Sequence, residues 1–365
     1  MGGESEMWNE NRVTDLLHIT YPIIQAGMAG GVTSPTLVAA VSNYGALGNI
    51  GAGYMTATQL REHIREIKKR TDNPFGINVF VPETPEVHTA EIEKVDTYLA
   101  PFREVLNVQK VAVNTPSTIT YEEQINVIME EKVPVCSFTF GIPSKEVVQR
   151  LKQENIVLIG TATTVQEAMA NEAIGMDIVV AQGSEAGGHR GTFLHSSKEA
   201  MIGTTALVPQ VVDRVQIPVI AAGGIMDGRG ILSALILGAE GVQMGTAFVT
   251  SEESGANELH KEAILQSTED ASVVTKVFSG KEARGIRNDF VDKMEVYEDE
   301  LPKYPIQNML TQPLRKEAAK QQRPEWMSLW SGQGSRLSKR QSVRDMMDHI
   351  VEEIDHLIQH KLYKW

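Results

Sequence analysis

Residues 183–191, GSEAGGHRG, bring one imidazole, one guanidinium and four glycines into a single short segment. An imidazole with an ordinary pKa of about 6.5 exchanges a proton near neutral pH, which makes His189 the candidate for acid–base work. Glycines let a backbone lie close against a flat ring system. Arg190 either pairs an anion or faces solvent, and both readings stay open. Hydrolytic and metal chemistry fit the same residues poorly. His189 and His195 share one loop without an obvious carboxylate partner, and Ser184 has no identifiable base. The chain also lacks HExxH, paired CxxC and GxSxG.

A second group of residues suits a phosphate. Ala222-Gly223-Gly224 and Gln243-Met244-Gly245-Thr246 each close an apolar run, offering backbone N–H groups that no side chain shields. Glycines at such places are also ordinary turns, so the spacing alone decides nothing.

These segments need a frame. From Tyr21 onward, eight short apolar runs alternate with amphipathic stretches: residues 21–27, 45–51, 75–81, 133–140, 155–163, 177–183, 217–224 and 240–249. Runs rich in Val, Ile and Ala suit parallel strands covered on both faces. Helical spacing is visible at 56–70, 145–154, 164–175 and 228–240. The expected architecture is therefore an α/β fold, a (β/α)8 TIM barrel, whose ligands gather at the C-terminal ends of the strands. A doubly wound sheet is disfavoured, because the cluster GNIGAG at 48–53 runs GxxGxG rather than GxGxxG and no GxxxxGK[ST] loop occurs. Residues 82–132 and 270–365 exceed what the alternation needs. They are expected to be an insertion after the third strand and a C-terminal lid with a helical extension, dividing the chain into 1–269 and 270–365.

Composition sets outer limits. With 365 residues, 42% hydrophobic and 22% charged, the chain is an ordinary globular protein. A formal charge of −13 without a basic run disfavours nucleic acid as a partner. No apolar run approaches the ~20 residues of a membrane span. The single cysteine, Cys136, lies in an apolar run and forms no internal disulfide, and MGGESEMWNE carries no leader pattern. A cytoplasmic protein is expected. No sustained heptad appears, so the oligomeric state is not legible.

The segments PIIQAGMAGG (22–31), FGINVFV (75–81), VCSFTFG (135–141), AQGSEAGGHRG (181–191), VIAAGGI (219–225) and VQMGTAF (242–248) occur in an order that resembles the nitronate monooxygenase family, formerly called 2-nitropropane dioxygenase. The resemblance runs from Trp8 to SGQGSRL at 331–337. It implies FMN at the barrel mouth, with its phosphate on the seventh and eighth strand loops and its ring over the first. By motif, the FMN contacts carried over are Asn78, Gln182, Gly187, Gly224, Gln243, Met244, Gly245 and Thr246, with Gly223 adjoining and Met28 beside the flavin. His189 matches the family's active-site histidine, as a charged partner of the nitronate or a neutral base. The implied reaction turns a small-molecule nitronate and O2 into a carbonyl compound and nitrite. Propionate 3-nitronate is among the implied substrates, and detoxification is the implied role. Gly27 stands where many relatives carry Pro, so a looser first turn is expected. Trp330 and Gln333, in MSLWSGQG, are candidates for closing over the cofactor. The alternative on the same fold is an NAD(P)H-dependent enoyl-acyl-carrier-protein or quinone reductase. A flavin-binding regulator without turnover and a hydrolase are further rivals.

Overall fold

In a computed structural model of the chain, residues 7–113, 119–196 and 198–360 are described. Residues 1–6, where the expected leaderless N-terminus begins, lie outside them, as do 114–118 of the insertion, Ser197 and 361–365.

The strands in chain order are β1 (Ile23–Gln25), β2 (Gly48–Gly51), β3 (Phe75–Phe80), β4 (Val135–Thr139), β5 (Val157–Ala162), β6 (Ile178–Gln182), β7 (Gly188–His189), β8 (Val219–Ala222), β9 (Gly241–Met244), β10 (Ser272–Thr275) and β11 (Ala283–Ile286). Eight of them pair in parallel in the order β2, β3, β4, β5, β6, β8, β9, β1. Gln25 N–H donates to Leu47 O at 2.9 Å and Leu47 N–H to Ile23 O at 3.0 Å, returning β1 to the start of β2 and closing the barrel. The expected (β/α)8 architecture is the observed one.

Four outer helices begin where the sequence supplies a side-chain cap. Ser34, Thr56, Ser144 and Thr164 each accept a hydrogen bond from the N–H three residues on, which satisfies donors that a helix start leaves free. The helix Arg12–Leu17 places Val13 and Leu17 against Ile24, Leu47, Ile178 and Ile220, plugging the end of the barrel away from the strand C-termini.

The run 240–249 is only half a strand. The chain turns at Gly245, and Phe248 and Val249 donate back to its carbonyl at 2.9 and 3.2 Å, making Thr246–Val249 a helical turn. A short apolar run does not distinguish strand from helix by periodicity.

The two excesses of sequence meet. Leu99, Phe102 and Leu106 of the insertion helix Thr89–Leu106 share a separate core with Phe278, Phe290, Ile306, Leu310, Leu314 and Trp326. This cap is built across the strand ends. The final helix, Val343–His360, does not belong to it: Val343, Met347, Ile350 and Ile354 pack with Leu37, Val41 and Ile231. It lies between the helices Pro35–Tyr44 and Gly228–Ile236, completing the outer ring of the barrel. Truncating a fully packed apolar side chain here, such as Ile350→Ala, costs about 2–5 kcal/mol.

Candidate active site

A cavity of about 870 Å³ lies between the strand ends and the cap, within the range of about 300–1,000 Å³ that small-molecule sites occupy. Asn78 of β3, Gln182 of β6 and Gln243 of β9 line its floor, and Met28 reaches it from the loop after β1. Gly187 and His189 enter beyond β6, Gly223 and Gly224 after β8, and Gly245 and Thr246 after β9. Met244 points the other way. Neighbouring strand residues face opposite sides, so with Gln243 on the cavity Met244 is buried among Val242, Ala247 and Phe248 in the core shared with the helices.

Below the cavity the barrel is filled by hydrogen-bonded amides. Gln25 and Asn49 exchange bonds at 3.2 and 3.1 Å, and Asn78 Nδ2 donates to Ser137 Oγ and Thr139 Oγ1, both at 3.0 Å. Asn78 is thereby fixed in rotamer before any ligand arrives. Gly27 is tight rather than loose: a Cβ there would sit 2.5 Å from the Asn78 Cβ. Any larger residue must displace Asn78 or the turn.

His189 is not on a free loop. It forms β7 with Gly188 and pairs antiparallel with Ala283 of β11, which belongs to the cap. Gln182 holds the same segment from the barrel side, donating to His189 O at 3.1 Å and accepting from Gly191 N–H at 2.8 Å. Arg190 neither pairs an anion nor faces solvent. It is fully buried and donates to the carbonyls of Gly183, Gln182 and Ala200 at 2.5, 3.0 and 3.1 Å, drawing the turn together from inside. Burial pushes its pKa down to about 10, with Arg284 adding repulsion. His195 bonds Gln166 at an exposed position away from the cavity.

The protonation of His189 follows from its neighbours. Ser279 Oγ lies 2.8 Å from His189 Nε2, but its own hydroxyl is directed to Lys281 O at 3.0 Å. With that hydroxyl on Lys281 O, His189 Nε2 is assigned as the donor and the lone pair to Nδ1. Desolvation lowers the imidazole pKa to about 3, helped by the cations Arg315 and Lys281. The ring is neutral at pH 7, the state the sequence left undecided.

Positive charge comes from the cap instead. Arg315 lines the cavity and bonds Asn308 Oδ1 at 2.6 Å and Ser328 Oγ at 3.3 Å. No carboxylate pairs with it among the described residues, and its Nε is buried without a partner. Lys281 is paired with Glu83 at 2.7 Å. Tyr54 and Tyr304 stand beside Arg315, and burial raises both hydroxyl pKa values.

The glycines that the sequence offers for a phosphate stand together at one corner of the cavity. Gly223 and Gly224 have φ of 113° and 74°, backbone that favours glycine at both positions. Gly224 and Gly245 N–H have no acceptor among the described residues, and Thr246, as first residue of its helix, has none within it. Thr246 Oγ1 also accepts from Gly332 N–H at 2.9 Å, tying the cap to this corner.

The family model described as nitronate monooxygenase matches residues 10–353. The chain belongs to the nitronate monooxygenase family. It is similar to a probable nitronate monooxygenase of Staphylococcus haemolyticus, 54% identical over 96% of this chain and 99% of that protein. Among solved structures it resembles nitroalkane oxidase from Streptomyces ansochromogenes, with a TM-score of 0.89, 39% identity, and coverage of 95% and 99%. FabK from Thermotoga maritima follows at a TM-score of 0.77 and 34% identity, covering 96% and 97%.

For this member of the nitronate monooxygenase family, the cap supplies what sequence reasoning missed: Ser279, Lys281, Tyr304 and Arg315. They lie in stretches with no distinguishing motif, 90 or more residues after His189, and only the fold brings them to it. Phe140, in the quoted segment VCSFTFG, and His260, which bonds Trp330 O at 2.8 Å, were also missed. Of the two tail candidates, Trp330 reaches the cavity with its ring 5.4 Å from that of His189. Gln333 is exposed, and only its N–H is engaged, by Glu185 O.

Proposed function

We propose that this chain is an FMN-dependent nitronate monooxygenase, oxidising alkyl nitronates, propionate 3-nitronate among them, with O2 to carbonyl compounds and nitrite as a cytoplasmic detoxification. The observation that carries the reading is the meeting of a neutral His189 and an Arg315 cation that has no carboxylate partner among the described residues, on one cavity. A nitronate is a small anion whose conjugate acid is a carbon acid, so binding it needs a positive group, and forming it from the neutral nitroalkane needs a neutral base.

On this reading residues 1–269 form the cofactor-binding barrel, with an insertion at about 82–132 that joins the lid, and 270–365 the lid and a helical extension packed on the barrel. Gly223, Gly224, Gly245 and Thr246 would hold the phosphate of FMN, and Met28, Asn78, Gln182, Gly187 and Gln243 its ring. Bound there, FMN would supply the redox chemistry that links substrate to O2, which no side chain of the cavity provides.

Arg315 attracts the anion and orients it, and a distal carboxylate on the substrate gives it a second use. His189 Nδ1 accepts a proton from the substrate carbon or, once an anion offsets the nearby cations, carries one from solvent. A resting pKa of about 3 makes His189 a weak base, so the preformed nitronate is the better substrate than the neutral nitroalkane. The cap and Trp330 exclude bulk water from these contacts.

The deciding experiment mixes the purified holoenzyme anaerobically with ethyl nitronate, nitroethane or NADH and then admits air. Rapid flavin bleaching by the nitronate, followed by nitrite release, supports the proposal. Bleaching by NADH alone transfers the assignment to a FabK-like reductase, and a protein that holds no flavin overturns the cofactor.

A further inference from the structure

Six non-glycine residues among those described have a positive φ, and five of them terminate helices. His18, Asn107, Lys132, Asn155 and Gln322 follow Arg12–Leu17, Thr89–Leu106, Ile119–Glu130, Lys145–Gln153 and Ile306–Lys320, where left-handed residues are common caps. Phe140 is the sixth. Its φ is 74°, and it follows a barrel strand, β4, at the mouth of the cavity. A bulky side chain on left-handed backbone is strained, and such strain persists only where the surroundings over-determine it.

The surroundings are aromatic and charged. The Phe140 ring lies 4.5 Å from Phe80, 5.3 Å from Tyr304 and 5.6 Å from His189, edge to face with the imidazole at 80°. Lys281 Nζ sits 4.9 Å over its face. Phe140 is only 4% exposed and lines the cavity. A backbone in the ordinary strand region would send the side chain elsewhere and leave the space between Phe80 and Tyr304 open to the cavity beside His189.

We propose that Phe140 is a specificity-determining residue, whose strained backbone holds its ring as the wall that limits the carbon chain of the substrate next to His189. The proposal rests on the nitronate-oxidation reading for the identity of the substrate. Removing the ring opens the pocket towards Phe80 and Tyr304, so longer chains gain access while ethyl nitronate loses its close wall. Phe140→Ala keeps the strain and Phe140→Gly relieves it, which separates the ring's role from the backbone's.

The test uses the wild-type holoenzyme with Phe140→Ala, Phe140→Gly and Phe140→Leu. Nitrite release gives kcat/KM for ethyl, butyl and hexyl nitronates, and anaerobic calorimetry gives affinities for the matching 1-nitroalkanes without turnover. The expected result is a hexyl-to-ethyl ratio raised at least tenfold in Phe140→Ala and Phe140→Gly, and less in Phe140→Leu. In denaturant, Phe140→Gly is expected to exceed Phe140→Ala roughly tenfold in folding equilibrium, the worth of one relieved left-handed residue. An unchanged chain-length ratio, or equal stability of Phe140→Gly and Phe140→Ala, overturns the proposal. If the wild type releases no nitrite, the functional reading fails and the nitroalkane affinities alone decide for or against Phe140. If Phe140→Ala does not fold, Phe140→Gly and Phe140→Leu carry the chain-length comparison, and that failure beside a folded Phe140→Gly counts in favour of the strain.

Discussion

Nε2 of His189 lies 2.8 Å from Oγ of Ser279, joining the loop beyond β6 to the cap 90 residues later in the chain. Because Ser279 spends its hydroxyl on Lys281 O, the pair fixes which imidazole nitrogen keeps its lone pair. Ser279→Ala removes that constraint. Turnover of a neutral nitroalkane, which needs the Nδ1 base, should fall about tenfold, the worth of one such hydrogen bond. Turnover of the preformed nitronate should fall less. Imidazole ¹⁵N shifts should change from one tautomer to a mixture, and an unaltered spectrum would remove Ser279 from this role.

The depressed pKa of His189 gives a pH signature. A value of about 3 means that no inflection from this residue should appear near pH 6.5 in kcat/KM for ethyl nitronate on the free enzyme. Lys281→Met takes away one of the opposing cations, so the inflection should move upward. The sign for stability follows by linkage: between about 3 and the ordinary 6.5 the unfolded chain binds the proton and the folded chain does not, so stability falls as pH drops through that window. His189→Asn should flatten this loss, read from denaturant midpoints at pH 4.5 and 7.

Arg315→Met leaves a cavity of similar size without its unpaired cation. KM for propionate 3-nitronate should rise roughly 10- to 100-fold, as expected for a lost charge-assisted bond of about 1.5–3 kcal/mol. Ethyl nitronate, with one charge to lose rather than two, should be affected less. Steady-state kinetics on the two substrates check this, and equal penalties would argue against recognition of a distal carboxylate.

Arg190→Met tests the buried turn. Three carbonyls each lose a donor and the loop that carries His189 loses one of its ties. We expect a loss of about 3–5 kcal/mol in stability, as for breaking a buried charged network, measured by chemical denaturation. A surface role would cost under ~1 kcal/mol.

Gly224→Ala probes the proposed phosphate cradle. The φ of 74° is unfavourable for any side chain, and the new Cβ would lie 3.2 Å from Glu185 Cβ. A penalty of about 1–2 kcal/mol should weaken FMN retention some tenfold. The flavin-to-protein ratio after dialysis reports it directly.

What the sequence determined by itself is the barrel and its floor. Runs such as DIVVAQG and IPVIAAGG are apolar enough for two-sided burial and end in glycines that line the cavity, so the strands, Gly224 and His189 could be read in one dimension, and Gln182 from the resemblance of its motif. Local pattern fails where it carries no direction: it did not say that Met244 turns into the core or that residues 246–249 coil into a helix. The tertiary structure alone decided the charge state of the site. Ser279, Lys281 and Arg315 meet His189 only because the insertion and the tail share one core above the strands, and desolvation and Coulomb interactions depend on distance in space, not on spacing along the chain.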